Sequence, residues 1–291
     1  MVHYIENDKL ICGIESVGAE IRSLIDKETG QEYIWQIDNS IWGSSSPVLF
    51  PAIGTIKSNN ISYKGKSYAM PKHGMVRNND RLLFKQISKD RCRFTLISSE
   101  ETKKQYPFDF RFDIIYELID NRLVMKFEVE NKDEVPMPFV CGGHTAYACP
   151  VVKNTLFSDF VIELPTKDSL VSATLGASGL LSNRKRIVTQ TNGTIALSKL
   201  LFSEDALIFA NIDFEWVRLR HKKSTKGVVV RFRGYPHLAL WTKQQGDFIC
   251  IEPWLGLPDG EDEPEDITQK STFKKLLPKR KFSISIDTEI E

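Results

Sequence analysis

The sequence predicts an all-β chain, a large antiparallel β-sandwich, and three observations carry that reading. Many short stretches alternate apolar and polar residues with a period of two. Turn residues punctuate them, in "SNNISYKGKSY", "KDRC", "IDNR", "TNGT" and "KQQGD". Few stretches have helical spacing, and no linker or low-complexity tract divides the 291 residues, so residues 1–291 are expected to form one domain.

The clearest strand is "RLVMKFEVE" (122–130), where Leu123, Met125, Phe127 and Val129 alternate with Arg122, Lys126, Glu128 and Glu130. Similar patterns occur at 93–98, 108–119, 216–221, 227–234, 237–242, 247–254 and 282–290. "YKGKSY" reads as a tight hairpin turn about Lys64–Gly65. "KDSLVSATLGASGLL" and "SKLLFSEDAL" are expected to hold short helical turns. The acidic segment 258–272 reads as an ordered surface loop after a strand. Two sheets would pack face to face over their inward side chains.

Charge excludes some partners. Lys and Arg total 39 against 38 Asp and Glu, without the basic excess of a nucleic-acid binder. The clusters "NRKRI" (183–187) and "KKLLPKRK" (274–281) read as solvated surface. Five cysteines without CxxC spacing fit reduced thiols rather than a disulfide framework or zinc site. The N-terminus lacks a secretory pattern and no run of about 18 apolar residues exists. A cytoplasmic protein without a membrane partner, monomer or homodimer, is expected.

Three stretches place ionisable groups where chemistry could use them. Glu252 sits among apolar neighbours in "CIEPWLGLPD", where Pro253 ends the ladder's donors and the strand gives way to a loop. A carboxylate is costly to bury there unless paired or used; a surface-facing residue is the competing reading. His73 lies in "PKHGMVR", with a glycine after it that admits close approach and Arg77 four residues on. A structural histidine and an ion-paired arginine are the competing readings. In "FVCGGHTAYACP" (139–150), Gly142 and Gly143 precede His144, which reads either as a packed core residue or as an acid. Two histidines and one glutamate at strand ends make an acid–base set, because histidine is readily poised near neutrality.

The motifs "SPVLFPAIG", "HGMVR", "GGHTAY" and "IEPWLGLPD", in that order along the chain, closely resemble the aldose 1-epimerase family, which is similar to galactose mutarotase, and within it the LacX-like branch. The resemblance implies a galactose mutarotase-like supersandwich with an open cleft. It also implies interconversion of the α and β anomers of a sugar without a metal or organic cofactor. It carries Glu252 over as catalytic base, His144 as general acid, His73 as a second, sugar-binding histidine, and Asp205 in "SEDALIF" as the aspartate that holds sugar hydroxyls. Trp254 and Arg77 lie within the motifs and are taken as sugar contacts. Thr55 stands where members often carry an arginine, with Lys57 a candidate for the missing charge, and Thr145 stands where proline is common. Glu252 as carboxylate and His144 as imidazolium would support one another's charge. A hexose-6-phosphate mutarotase, a non-catalytic sugar-binding protein and a glycosidase are the rival readings. The last would need paired carboxylates, of which only Glu252 has a strong motif.

Overall fold

In the computed structural model, which describes residues 1–291, two antiparallel sheets face each other across the core. The first has nine strands. Its centre is the hairpin Phe110–Ile119 and Arg122–Asn131, with Lys281–Ile290 alongside. The alternation expected of 122–130 holds: Leu123, Met125, Phe127 and Val129 are buried. Each such side chain contributes about 1.5–3 kcal/mol on leaving water. Asn131 ends the same buried row, and its amide donates to the carbonyls of Val135 and Leu276 at 2.8 Å each, so its polar head is satisfied.

The second sheet has eight strands. Its middle is Leu207–Ala210, His237–Trp241 and Phe248–Trp254, flanked by Gly142–Gly143 and Thr145–Ala148. Contacts between the sheets are direct. Phe50 stacks on Phe112 with ring centroids 4.3 Å apart, and the Tyr147 hydroxyl lies 2.6 Å from that of Thr288. Gly143 is glycine for the same reason. A Cβ there would sit 2.8 Å from both Ile286 and Met125 of the opposite sheet. One apolar cluster of 73 buried residues runs through the space between.

All eight strands read from alternation are present. Lys64 (φ 50°) and Gly65 (φ 74°) make the expected turn between Asn60–Tyr63 and Lys66–Ala69. Ser198 caps the short 3-10 turn Lys199–Phe202, one of the two helical turns expected. The other is a correction: Leu170–Leu175 and Leu181–Val188 are paired strands. The inward side chains there include Ser172 and Thr174, both buried, so hydrophobicity does not alternate. Their hydroxyls are satisfied locally, Ser172 accepting from Ile208 N at 2.9 Å and Thr174 donating to Arg184 O at 2.8 Å. The sequence reading also lacked the meander Val2–Glu6, Leu10–Glu15, Ile21–Asp26, whose last pair is interrupted by a bulge near Gly13.

The acidic segment 258–272 is ordered and partly interior. Asp259 and Lys270 form an ion pair at 2.5 Å with side chains 2% and 0% exposed. Asp259 also accepts from Lys57 N at 2.9 Å and donates its own N–H to Thr55 O at 3.1 Å. Lys270 donates further to Pro264 O at 2.9 Å. The pair ties this segment to the chain around Thr55. No helix is long and apolar enough to cross a membrane.

Candidate active site

Strand parity decides which residues leave the core. On Phe248–Trp254, Ile249 and Ile251 join the central cluster. Phe248 and Cys250 face the other way, toward Trp42 and Trp241, and Glu252 follows on that same outer side. Ala239 is the register partner of Glu252, and its small side chain leaves the carboxylate room. On the neighbouring segment Tyr147 reaches the opposite sheet while His144 and Ala146 face outward.

The outer side opens into a cleft of about 720 Å³. It is lined by every site residue the sequence singled out: His73, Arg77, His144, Asp205, Glu252 and Trp254. His144 Nε2 stands 3.3 Å from Glu252 Oε2. The two are not aligned as a hydrogen bond, and Glu252 Oε2 and His144 Nδ1 are both buried without a partner. The His73 ring lies edge-on to His144 with centroids 5.5 Å apart.

His73 is held by main chain. Gly54 N–H donates to its Nδ1 at 3.1 Å, and His73 N–H donates back to Gly54 O at 2.9 Å. Nδ1 is therefore an acceptor, and the proton of the neutral ring is on Nε2. The backbone adopts φ 69°, uncommon for a residue with a Cβ. Gly74 follows at φ 80°, where a Cβ would lie 2.1 Å from Phe50 O, so only glycine fits the turn.

Asp205 sits at the exposed rim, also left-handed (φ 73°), with Oδ1 accepting from Ala206 N at 2.9 Å. Arg77 makes no ion pair, and its buried Nε has no partner. Trp254 is only 4% exposed, so the sugar contact expected of it has little open surface. Its indole nitrogen is buried without a hydrogen-bond partner. The open aromatic surfaces belong instead to Trp42 and Trp241, both half-buried, with ring centroids 5.2 and 5.6 Å from that of His144. An aromatic on the non-core parity of "HLALWT" was the available signal for Trp241; Trp42, in a loop, had none.

Lys57 does not supply charge to the cleft. Its backbone is engaged by Asp259, and the lining cations are Lys72, Arg77, Lys243 and Arg184. Arg184, expected as solvated surface, lies on the rim in an ion pair with Glu204. Thr55 does line the cleft, with the turn at Gly179 close above it: a Cβ at Gly179 would fall 2.7 Å from Thr55 Oγ1.

Burial dominates the electrostatics. It pushes His144 down to about 3, with the Arg77 charge acting in the same direction. Burial, then the charge of His144, holds His73 well below the usual histidine range. Burial also lifts Glu252 well above the usual carboxylate range; Lys72 opposes this and Asp205 adds to it. The mutual stabilisation of imidazolium and carboxylate expected from sequence is thus outweighed by desolvation. Desolvation favours the neutral imidazole and the carboxylic acid, each over its charged form. A pair in those neutral forms carries one proton, as the charge-separated pair would. As for metal-ligating groups, His144, Cys250 and Glu252 bring one donor atom each to within 4.8 Å of one another, and all three are buried. All five cysteines are free and buried.

Comparison with known proteins gives the family and the fold. The family model for aldose 1-epimerase matches residues 1–259. Protein LacX (chromosomal) of Lactococcus lactis subsp. lactis is 28% identical over 97% of this chain and 98% of its own length. A galactose mutarotase related enzyme from Lactobacillus acidophilus superposes with a TM-score of 0.94 at 34% identity, covering 100% of this chain and 97% of that one. A galactose mutarotase-like protein from Lactobacillus casei gives 0.92 at 26% identity, covering both chains completely (100% each).

Proposed function

Since the chain belongs to the aldose 1-epimerase family and is an isomerase, we propose that it interconverts the α and β anomers of an aldohexose by acid–base ring opening at His144 and Glu252. One observation carries the proposal: the 3.3 Å approach of His144 Nε2 to Glu252 Oε2 on the floor of an open cleft, with the His73 ring beside them. Ring opening needs one proton taken from the anomeric hydroxyl and one delivered to the ring oxygen. The single proton held by the pair suffices for both transfers. Sugar hydroxyls entering the cleft replace lost water and favour the charge-separated form, in which Glu252 accepts from the hydroxyl and His144 donates to the ring oxygen. The C1–O5 bond then breaks to the open aldehyde. Rotation about C1–C2 presents the other carbonyl face, and the transfers reverse on closure. His73 Nε2–H and Asp205 orient hydroxyls, while Trp42 and Trp241 offer apolar faces to the ring.

A second reading has its own support. Lys72, Arg77 and Lys243 line the cleft without ion pairs, which suits an anionic substituent such as a 6-phosphate. Polarimetry on freshly dissolved α-anomers of glucose, galactose and their 6-phosphates tests both. Acceleration of at least one sugar is expected, and Glu252→Gln should lower its rate by about 10²–10⁴-fold. No acceleration of any of them, or full rate in the Gln variant, would refute the assignment.

A further inference from the structure

We propose that His144, Cys250 and Glu252 form a binding site for a borderline-soft divalent cation such as Zn²⁺, and that the bound ion switches the cleft off. Cys250 lies two residues before Glu252 on one strand, so the thiol and carboxylate share a face. Donor atoms about 2.1 Å from a tetrahedral zinc lie about 3.4 Å apart. The His144 Nε2 to Glu252 Oε2 distance is 3.3 Å. A sulfur ligand belongs about 3.6 Å from its neighbours, so with every separation within 4.8 Å the thiol has at most about 1.2 Å to close. A second observation points the same way: Glu252 Oε2, the oxygen facing His144, is buried with no hydrogen-bond partner. An orphaned buried acceptor is rare and costly, and a cation would satisfy it.

Imidazole, thiolate and carboxylate together suit Zn²⁺ rather than Mg²⁺ or Ca²⁺, which take oxygen ligands. On binding, the Cys250 thiol and the Glu252 carboxyl release their protons to the buffer as S–Zn and O–Zn bonds form. His144 and Glu252 line the cleft, and Cys250 is buried beside them. Inhibition follows because the ion takes up the lone pairs through which His144 and Glu252 would move protons. That consequence rests on the mutarotase reading; the binding does not.

The test is calorimetric titration of the full chain with ZnCl₂ alone, beside Co²⁺ absorption spectra and mutarotation with and without Zn²⁺. Expected are one ion per chain, a thiolate-to-cobalt charge-transfer band, and inhibition reversed by a chelator. Cys250→Ala, outside the proton-transfer machinery, should keep mutarotation, weaken Zn²⁺ binding on the order of 10–100-fold or more, and lift inhibition. A thermal melt confirms that the variant folds, and Cys250→Val serves in its place if it does not. Wild-type affinity in the variant, or a cobalt complex without the thiolate band as at a surface histidine, would overturn the site. Binding with the thiolate band but no mutarotation to inhibit would uphold the site and count against the enzymatic reading alone.

Discussion

Lys270→Met isolates the pair that ties the segment after the central strand to the cleft wall. Lys270 Nζ is 2.5 Å from Asp259 Oδ2, and neither side chain is more than 2% exposed. The substitution preserves much of the side-chain volume but leaves the Asp259 carboxylate buried, with the Lys57 N–H as its one remaining donor. Breaking a buried pair from one side costs about 3–5 kcal/mol. For a chain of this size each kcal/mol shifts the melting midpoint by about 2 °C, so a fall of roughly 6–10 °C is expected. Replacing both partners, as Asp259→Leu with Lys270→Met, should recover most of it, because no unpaired charge remains. The kinetic effect is on binding. Pro258 lines the cleft beside Gly54, and Asp259 N–H holds Thr55 O, so KM should rise with a smaller change in kcat. Calorimetric melts and polarimetric progress curves on the two single variants and the double measure both. A single-variant loss below about 1 kcal/mol, or a double variant worse than the sum of the singles, would refute the claim that the desolvated charge sets the cost.

The pH dependence of kcat/KM should be broad. In the proposed mechanism the working state holds one proton on the His144–Glu252 pair. Activity falls on the acid side only as a second proton loads His144, whose burial puts that step near 3, and on the alkaline side only above the raised range of Glu252. An acid limb centred at the ordinary histidine value of 6.5 would show that water reaches His144 freely. Trp42→Ala removes an apolar wall beside His144; KM should rise by about two- to tenfold, as one stacking contact is worth ~0.5–1.5 kcal/mol beyond its area, with kcat nearly kept. Gly74→Ala adds a Cβ 2.1 Å from Phe50 O at φ 80°, so a melt should show a loss of at least about 1–3 kcal/mol, and activity should fall with it as His73 is displaced.

Much of the molecule could be read from the chain because amphipathic strands announce themselves. The strand 122–131 and the final strand 281–290 bury one face each, and their side chains alternate accordingly. The reading failed where the inward face is polar, as at Ser172 and Thr174, and where a bulge near Gly13 interrupts the first meander. Convergence of His73, His144 and Glu252 was legible through motif resemblance and strand ends. The flanking Trp42, Lys72 and Lys243 were not, since nothing local tells a loop cation that it faces a cleft. Proton placement was missed for a different reason. Neighbour charges can be guessed from residue types, but the depth of burial that overrides them is a property of the assembled sheets.

The floor of the cleft draws on residues 73, 144 and 252, from a loop, the break between Gly142–Gly143 and Thr145–Ala148, and the strand Phe248–Trp254, whose register is fixed only once Gly142–Gly143 has paired with both Val48–Leu49 and Trp254. No contiguous fragment contains a partial version of the centre. During refolding, turnover should therefore return last and all at once, so that the rate of mutarotation at each instant counts the molecules that have finished assembling their second sheet.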